Sequence, residues 1–365
     1  MITLGQWNRT LLHRQHLLER IDDDAIEVLD RCVGLQAQDP RAPFFGLASR
    51  MVDFDPAELD GLLTEREVVR MALLRSTIFL IDTEDARWMR PAVQPALDVE
   101  LGMHARRLAI ATVDEVLTAA TNLLDKDDAV PATELGAGLV ARFADEPRAT
   151  LIAIARCGLP LVQVPPRGLF AGSGAPTYRL FEDWAGPGKP AIEGDEARKD
   201  LIRLYLRGFG PASVKGIGTW CGLTRLRRLV ESMEADWELV KVEGPNGEEL
   251  FDIDGLDIVG DDVPAPVRLI APYDNILVAQ SDRRRIADER DYRRLQTANG
   301  ISPGYVLVDG RLAGSWVLDT RGRVVTELWA KPDRGQRAEL EAEVELLSAL
   351  IERQIPVRGL RSVMQ

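Results

Sequence analysis

The chain has 365 residues, of which 45% are apolar and 28% are charged, a balance typical of globular proteins. No apolar run approaches the roughly 20 residues that a membrane span needs, and the first twenty residues lack the continuous apolar segment of a signal peptide, so we expect a cytoplasmic protein without membrane contact. The formal net charge of −13 excludes a uniformly basic nucleic-acid surface, so any DNA binding must use local arginine clusters.

Cysteine and histidine content limits the possible chemistry. Cys32, Cys157 and Cys221 are far apart, and the chain has only three histidines. This argues against a disulfide framework, a zinc site and a Cys/His dyad. We therefore expect no metal and no cofactor.

A coarse pattern of helices followed by a short β-rich stretch recurs three times. In the first unit, residues 1–111, Thr3 is expected to cap one helix and Gly34 to end another. The stretch 55–74 is predicted to be helical, and RSTIFLID at 75–82 to be a strand. Helices followed by a small β-hairpin are the winged-helix plan.

The second and third units follow the same plan. The second, residues 112–194, contains the polar turn DKDDAVPATELG and the strand LPLVQV, with PPRG as the tip of a wing. The third, residues 195–260, contains GPASVKGIGTWCGL, which favours a helix-turn-helix, and a hairpin that turns at PNG.

From residue 261 to residue 365 the pattern changes to short strands. We expect strands at VRLIAP, ILVAQ, GYVLVDG, RLAGSWVLD and RVVTELWA, and a closing helix over 337–354. The predicted fold class is therefore α+β, with three tandem winged-helix motifs and a C-terminal β-barrel-like domain.

The segment GLQAQDPRAP places two glutamines one residue apart. Gly34 can end the preceding helix and Pro40 biases Asp39 toward an extended conformation, so Gln36 and Gln38 can face the same way. They can hold one water between two amides. From the residues alone, a structural role at the helix end is favoured over this one.

Five stretches, in this order, resemble the winged-helix family that includes the AlkZ-like DNA glycosylases. They are GLQAQDPRAP, LLRSTIFLIDTEDARW, RGFGPASVKGIGTWCGL, APYDNILVAQSDRR and VLVDGRLAGSW. The resemblance covers nearly the whole chain. It implies three winged-helix motifs and a β-barrel that form a C-shaped cleft around double-stranded DNA.

The activity that the resemblance implies is hydrolysis of the N-glycosidic bond of N7-alkylated purines, including bulky guanine adducts and, for some members, interstrand crosslinks. The Gln, apolar, Gln motif of the AlkZ-like branch corresponds to Gln36, Ala37 and Gln38, which makes Gln36 and Gln38 the implied catalytic residues. Phe79 departs from a histidine often found at its position in the family. Asp39 is an alternative catalytic base, although a structural role as the cap of the following helix is favoured.

Glutamine is not a strong base, but its carbonyl can orient a water. That is enough only for a good leaving group. An N7-alkylguanine is cationic and becomes neutral on departure, so the substrate class and the weak catalytic groups agree.

DNA contacts are expected near the first wing, at the tip of the second and in the DRRRI stretch. The residues are Arg75, Ser76, Thr77, Arg167, Arg283, Arg284 and Arg285, with Asp274 and Asn275 as a possible addition to the site. For Arg75, an ion pair with Asp82 or Glu84 is an equally good interpretation. Contacts from Lys215 and the Arg225–Arg228 segment rank lowest.

Two functions from different classes remain. The first is a monofunctional DNA glycosylase, since no catalytic lysine is available for a lyase step. The second is a non-enzymatic winged-helix protein that binds or sequesters damaged DNA. Without a heptad repeat or another dimerisation signal, the tandem units favour a monomer.

Overall fold

The computed structural model describes residues 1–124, 128–295 and 302–353. Two predicted pieces lie outside these ranges, namely residues 125–127 of the polar turn and Gln354 at the end of the predicted last helix. No helix in the described ranges combines the length and the apolar character that crossing a membrane requires.

The described residues form helices and short strands in a mixed order, which confirms the mixed helix and sheet content. The helices are α1 (Leu4–Arg14), α2 (Ala25–Arg31), α3 (Ala42–Ala48), α4 (Pro56–Glu65), α5 (Thr83–Ala92), α6 (Gln94–Ala105), α7 (Val113–Leu124), α8 (Ala132–Arg142), α9 (Arg148–Gly158), α10 (Phe181–Ala185), α11 (Gly194–Phe209), α12 (Val214–Cys221), α13 (Arg227–Ala235), α14 (Asn275–Val278), α15 (Glu289–Arg294) and α16 (Arg334–Arg353). The strands are β1 (Leu35–Gln36), β2 (Val68–Ala72), β3 (Ile78–Asp82), β4 (Val130–Pro131), β5 (Leu161–Gln163), β6 (Thr177–Leu180), β7 (Leu239–Glu243), β8 (Glu249–Ile253), β9 (Arg268–Ile270), β10 (Gly304–Val308), β11 (Arg311–Leu318) and β12 (Val324–Leu328).

Helix ends near the N-terminus follow their local sequence signals. The Thr3 hydroxyl accepts from the Gln6 amide and the Gln6 side chain accepts from the Thr3 amide, a complete capping box that typically contributes about 1 kcal/mol. Gly34 adopts a φ of 72° after α2. A Cβ there would lie 2.9 Å from the Leu80 carbonyl oxygen, so the chain can enter β1 this closely only with glycine.

The first two units share one six-stranded sheet in the order β1-β3-β2-β5-β6-β4. The joint is the antiparallel pair of β2 and β5, where Met71 lies opposite Val162. The prediction of a continuous helix over 55–74 is wrong in its second half, because VVRMA is the fully buried strand β2. Strands buried on both faces show no alternation and cannot be told from buried helix by pattern.

Three hydrophobic clusters among the described residues support this arrangement, the smallest formed by Ile2, Trp7 and Leu250. The largest one combines residues of all four predicted regions, including Val162 and Phe170 of the second unit. A separate, smaller one lies under the second unit between α7, α8 and α9, with Leu151 and Ile154 fully buried. The boundaries 1–111, 112–194, 195–260 and 261–365 remain predictions.

The third unit contains the predicted helix-turn-helix and hairpin. Ser213 caps α12, Gly222 ends it with a φ of 81°, and α13 follows after a short loop. Strands β7 and β8 pair antiparallel around the predicted turn, from Leu239 with Ile253 to Glu243 with Glu249.

The C-terminal strands form an open sheet in the order β12-β11-β10-β9, and α16 packs against β9. In the described residues β9 and β12 lie at opposite edges, so the expectation of a barrel is replaced by an open sheet. ILVAQ is also not a strand. Asp274 accepts from the Ile276 amide and begins the short helix α14 there.

Candidate active site

The segment that carries the two glutamines is extended at Leu35 and Gln36, which form β1, and bends at Gln38. The common orientation of Gln36 and Gln38 stays a prediction. Gln36 lies opposite Phe79 in the pairing of β1 with β3, and the Ala37 amide donates to the Ile78 carbonyl at 2.7 Å. Ala37 is fully buried, and its carbonyl accepts from the Arg70 guanidinium at 3.0 Å. The backbone on both sides of Ala37 is therefore fixed, with Gln36 buried at the edge of the sheet.

The Gln36 amide is held by an arginine from the following hairpin. Arg75 Nη2 donates to Gln36 Oε1 at 3.0 Å and to Asn275 Oδ1 at 3.0 Å, while Nη1 donates to the Trp220 carbonyl at 2.7 Å. The predicted site residues Gln36, Arg75 and Asn275 thus meet in one hydrogen-bonded cluster, although they come from distant parts of the chain. Because Oε1 of Gln36 already accepts from Arg75, the NH2 group of Gln36 is the end left for other partners.

Arg75 has no compensating acid among the residues that the structure describes. None of the described carboxylates lies within ion-pair distance of its guanidinium, and burial lowers its pKa to about 10. The alternative ion pair with Asp82 or Glu84 is wrong. Asp82 instead accepts from the amides at the start of α5, and Glu84 pairs with Arg87 at 3.3 Å.

The backbone at Arg75 is strained. Arg75 has a φ of 54° and Ser76 a φ of 58°, two consecutive left-handed residues without glycine. Gly222 at the end of α12 packs on this turn, since a Cβ there would lie 3.5 Å from the Arg75 Cα. The guanidinium lies over the ring of Phe79 at 5.4 Å, so the fully buried Phe79 supports Arg75.

Gln38 and Asp39 lie beyond the end of β1. Gln38 is exposed, and the partly exposed Asp39 accepts from the Arg41 amide at 2.9 Å through Oδ1. The expected capping of the following helix by Asp39 is wrong in detail, because Arg41 occupies the cap position of α3 and Asp39 stabilises the turn before it. Of the two glutamine side chains, Gln36 is therefore buried and Gln38 faces solvent.

Asp274 lies next to this cluster but has a structural role. Its carboxylate pairs with Arg50 at 2.9 Å, and both side chains are fully buried. The ion pair fixes the N-terminal end of α14, whose first residue is Asn275. Asp274 therefore acts on the site through the backbone that carries Asn275.

The predicted contacts of the first two wings differ in exposure. Ser76 is buried with its hydroxyl 3.9 Å from Cys157 Sγ, which removes it from the surface. The Thr77 hydroxyl donates to the Leu74 carbonyl, and the partly exposed Arg167 donates to the Gly174 carbonyl at 2.6 Å. Thr77 and Arg167 remain predicted DNA contacts.

The three arginines of DRRRI have three different environments. Arg285 is fully buried and donates to the carbonyls of Phe209 and Trp7, so its predicted DNA contact is wrong. Arg284 is exposed but pairs with Asp282. Arg283 is partly exposed and stacks over Tyr292 at 4.1 Å, which leaves it the best predicted contact of the three.

Sequence reasoning does not identify the hydrogen bond between Arg75 and Gln36. Thirty-nine positions separate these residues, and the pairing of β1 with β3 that joins them is not encoded by a local pattern. The role of Trp220 in holding Arg75 by its carbonyl is missed for the same reason.

Comparisons with known proteins identify the family of the chain. The sequence profile described as DNA glycosylase AlkZ-like matches residues 29–350. A relative from Streptomyces sahachiroi named Interstrand DNA cross-link repair glycosylase is 25% identical over 342 residues, which cover 86% of this chain and 88% of the relative. The solved structure named Streptomyces sahachiroi DNA glycosylase AlkZ matches with a TM-score of 0.78 and 20% identity, covering 96% of this chain and 97% of that one.

The structural likeness shows a shared fold, and the profile match covers most of the chain. The family predicted from the five sequence stretches is therefore confirmed, and the non-enzymatic alternative is set aside. The chain belongs to the AlkZ-like DNA glycosylase family, and the protein is an enzyme that acts on DNA.

Proposed function

We propose that the protein is a monofunctional glycosylase that hydrolyses the N-glycosidic bond of N7-alkylated purines in double-stranded DNA. Bulky guanine adducts and interstrand crosslinks are included in the proposed substrates, in keeping with the name of the Streptomyces sahachiroi relative. The proposed enzyme works as a monomer, with its tandem units arranged around DNA in a C-shaped cleft. The observation that carries the proposal is the fixed Gln36 amide beside the exposed Gln38.

The proposed roles of the two amides differ. Gln36 Oε1 accepts from Arg75, so the Gln36 NH2 donates to the oxygen of the attacking water. Gln38 is exposed, and its side-chain carbonyl can accept a hydrogen bond from the same water. The remaining lone pair of the water then points at C1′ of the sugar. The bond between C1′ and the purine nitrogen breaks with its electron pair on the base, the water oxygen bonds to C1′, and the extra proton of that oxygen is released to bulk solvent because neither amide is a base.

This arrangement supplies positioning without a strong base. Departure of a cationic N7-alkylpurine neutralises the base while the sugar gains oxocarbenium character. Protonation of the leaving group is therefore unnecessary. Holding a nucleophile in place can lower a barrier by several kcal/mol, up to roughly 7–11 kcal/mol in ideal intramolecular cases.

The test is base release under single-turnover conditions. Duplexes that carry N7-methylguanine, a bulky N7-guanine adduct or an interstrand crosslink are incubated with wild type, Gln36→Ala, Gln38→Ala and the matched amide control Gln336→Ala on α16. We expect release by wild type and the control, and a loss of roughly 10-fold or more in each site variant, about 1.4 kcal/mol of transition-state stabilisation.

Asp39→Asn separates the proposal from its rival. Full activity of Asp39→Asn supports water positioning by the amides. Loss of release in Asp39→Asn, with activity retained by both glutamine variants, would assign the base to Asp39. Absence of release from every duplex would refute the proposed substrates.

A further inference from the structure

A basic groove runs along the helix-turn-helix of the third unit, next to the Gln36 cluster. It has a volume of about 580 Å³ and lies between α12, the Gly222–Leu226 loop and the start of α13. A second groove of about 340 Å³ adjoins it across the same loop and reaches α6. We call the two together the α12 groove.

Charge distinguishes the α12 groove from the rest of the molecule. Its lining carries Lys215, Arg225 and Arg227 on one side and Arg198 on the other, and no acidic residue. The whole chain has a net charge of −13, so a concave surface whose charged lining residues are all cations is a marked local excess of positive charge.

Two of the four groove cations are paired at the surface and two have no ion-pair partner among the described residues. Arg198 pairs with Asp195 at 3.2 Å. Lys215 and Arg225 are exposed, and neither has an ion-pair partner among the described residues. Arg227 pairs with Glu231 and Glu249 at the surface, and such exposed pairs are worth about 0–1 kcal/mol, so a phosphate can replace them.

The floor of the groove suits the close approach of a polymer backbone. Gly218, Thr219 and Gly222 present small side chains or none along α12. Arg225 has a left-handed φ of 63° and lines both parts of the groove. Cations beside small, uncharged residues suit the sugar-phosphate backbone of a nucleic acid strand, which arginine and lysine contact without reading the bases.

The groove and the Gln36 cluster share a wall. Gly222 lines the groove and packs on the Arg75 turn, while the Trp220 carbonyl of the same helix accepts from Arg75. We infer that the α12 groove binds the DNA backbone beside the lesion and so presents the damaged nucleotide to Gln36 and Gln38. This inference rests on the proposed function in that DNA is the partner.

The test uses binding to undamaged duplex, so that it is independent of base release. Lys215→Ala/Arg225→Ala is compared with Arg142→Ala/Lys331→Ala, which removes two exposed cations outside the groove. Each phosphate contact contributes about 0.9 to the slope of log K against log salt. We expect the slope of the groove variant to be smaller by about 1.8. Between 1 M and 0.1 M salt, the affinity of the variant should therefore rise about 60-fold less than that of wild type.

An unchanged slope, or an equal loss in the control pair, would overturn the inference. A second variant, Thr219→Glu, introduces an anion on the groove floor and should weaken binding with no side chain removed from the core. Thermal unfolding of each variant, unchanged from wild type, shows that the fold is intact.

Failure of the groove and failure of the proposed function are distinguishable. Base release by wild type together with an unchanged salt slope in the groove variant would support the proposed function and refute DNA binding by the groove. A reduced slope without base release from any N7-alkylated duplex would leave the groove as a DNA-binding surface and refute the proposed reaction.

Discussion

Replacing Arg75 by alanine should slow base release by acting through Gln36. The guanidinium donates to Gln36 Oε1 at 3.0 Å, and it is the one donor to that oxygen within the described part of the chain. A hydrogen bond from a charged donor is worth about 1.5–3 kcal/mol. If all of it serves to orient the amide in the transition state, the rate falls by about 10- to 150-fold.

A double-mutant cycle measures whether Arg75 affects base release through Gln36. Single-turnover release is compared for wild type, Arg75→Ala, Gln36→Ala and the double variant. Because the Arg75 contribution passes through Gln36, the double variant should be no slower than the slower single variant, a coupling of about 1.5–3 kcal/mol. Arg75→Lys should not restore the rate, since one ammonium group cannot reproduce the forked contacts of a guanidinium.

Additive effects within about 0.5 kcal/mol would refute this reasoning. Arg75 would then act on its own, and a fall of about 0.9 in the salt dependence of DNA binding would identify it as the phosphate contact expected from the sequence. Thermal unfolding of Arg75→Ala guards against a fold defect, because the variant also removes the donor to the Trp220 carbonyl.

Three further predictions concern stability and DNA contact. Asp274→Asn should lower the free energy of unfolding by about 3–5 kcal/mol in urea titrations, because it leaves Arg50 charged, buried and unpaired; a change below about 1 kcal/mol would contradict this. Burial, together with neighbouring cations, lowers the pKa of His16 from 6.5 to about 4, so the unfolded chain binds the proton more readily and stability should fall as the pH drops from 6.5 toward 4. His16→Asn, which tolerates the left-handed φ of 52°, should lose this part of the pH dependence in thermal melts, and an identical profile would exclude His16 as its source. Arg283→Ala should reduce the salt slope of DNA binding by about 0.9, whereas Arg285→Ala should lower the melting temperature and leave the slope of the folded protein unchanged; the reverse pattern would show that Arg285 reaches DNA.

Helix ends and tight turns of this fold are predictable from sequence because their causes are local. Thr3 and Gln6 cap each other within one turn, and Gly222 ends α12 by adopting a φ that other residues avoid. The extended segment around Gln36 is predictable for the same reason, since Gly34 lies just before it.

Long-range contacts are not predictable in this way. Arg75 and Asn275 are 200 positions apart, and no pattern in either segment indicates that they share a hydrogen bond. Arg283 and Arg285 belong to one tripeptide, yet one stacks on a surface tyrosine and the other is fully buried under carbonyl groups. The sequence shows that the three arginines are adjacent. Only the packing of α1 and α11 around Arg285 makes it buried while Arg283 stays at the surface.

The sheet that β2 and β5 join has a consequence for dissecting the molecule. A fragment that ends at residue 111 would keep β1, β3 and β2 but expose the unpaired edge of β2, whose five residues are all buried in the whole protein. Such an apolar edge is a template for pairing with other chains, so the fragment should aggregate or exchange strands. The tandem units visible in the sequence are therefore not separable modules, and a minimal catalytic fragment must include the strands up to β6.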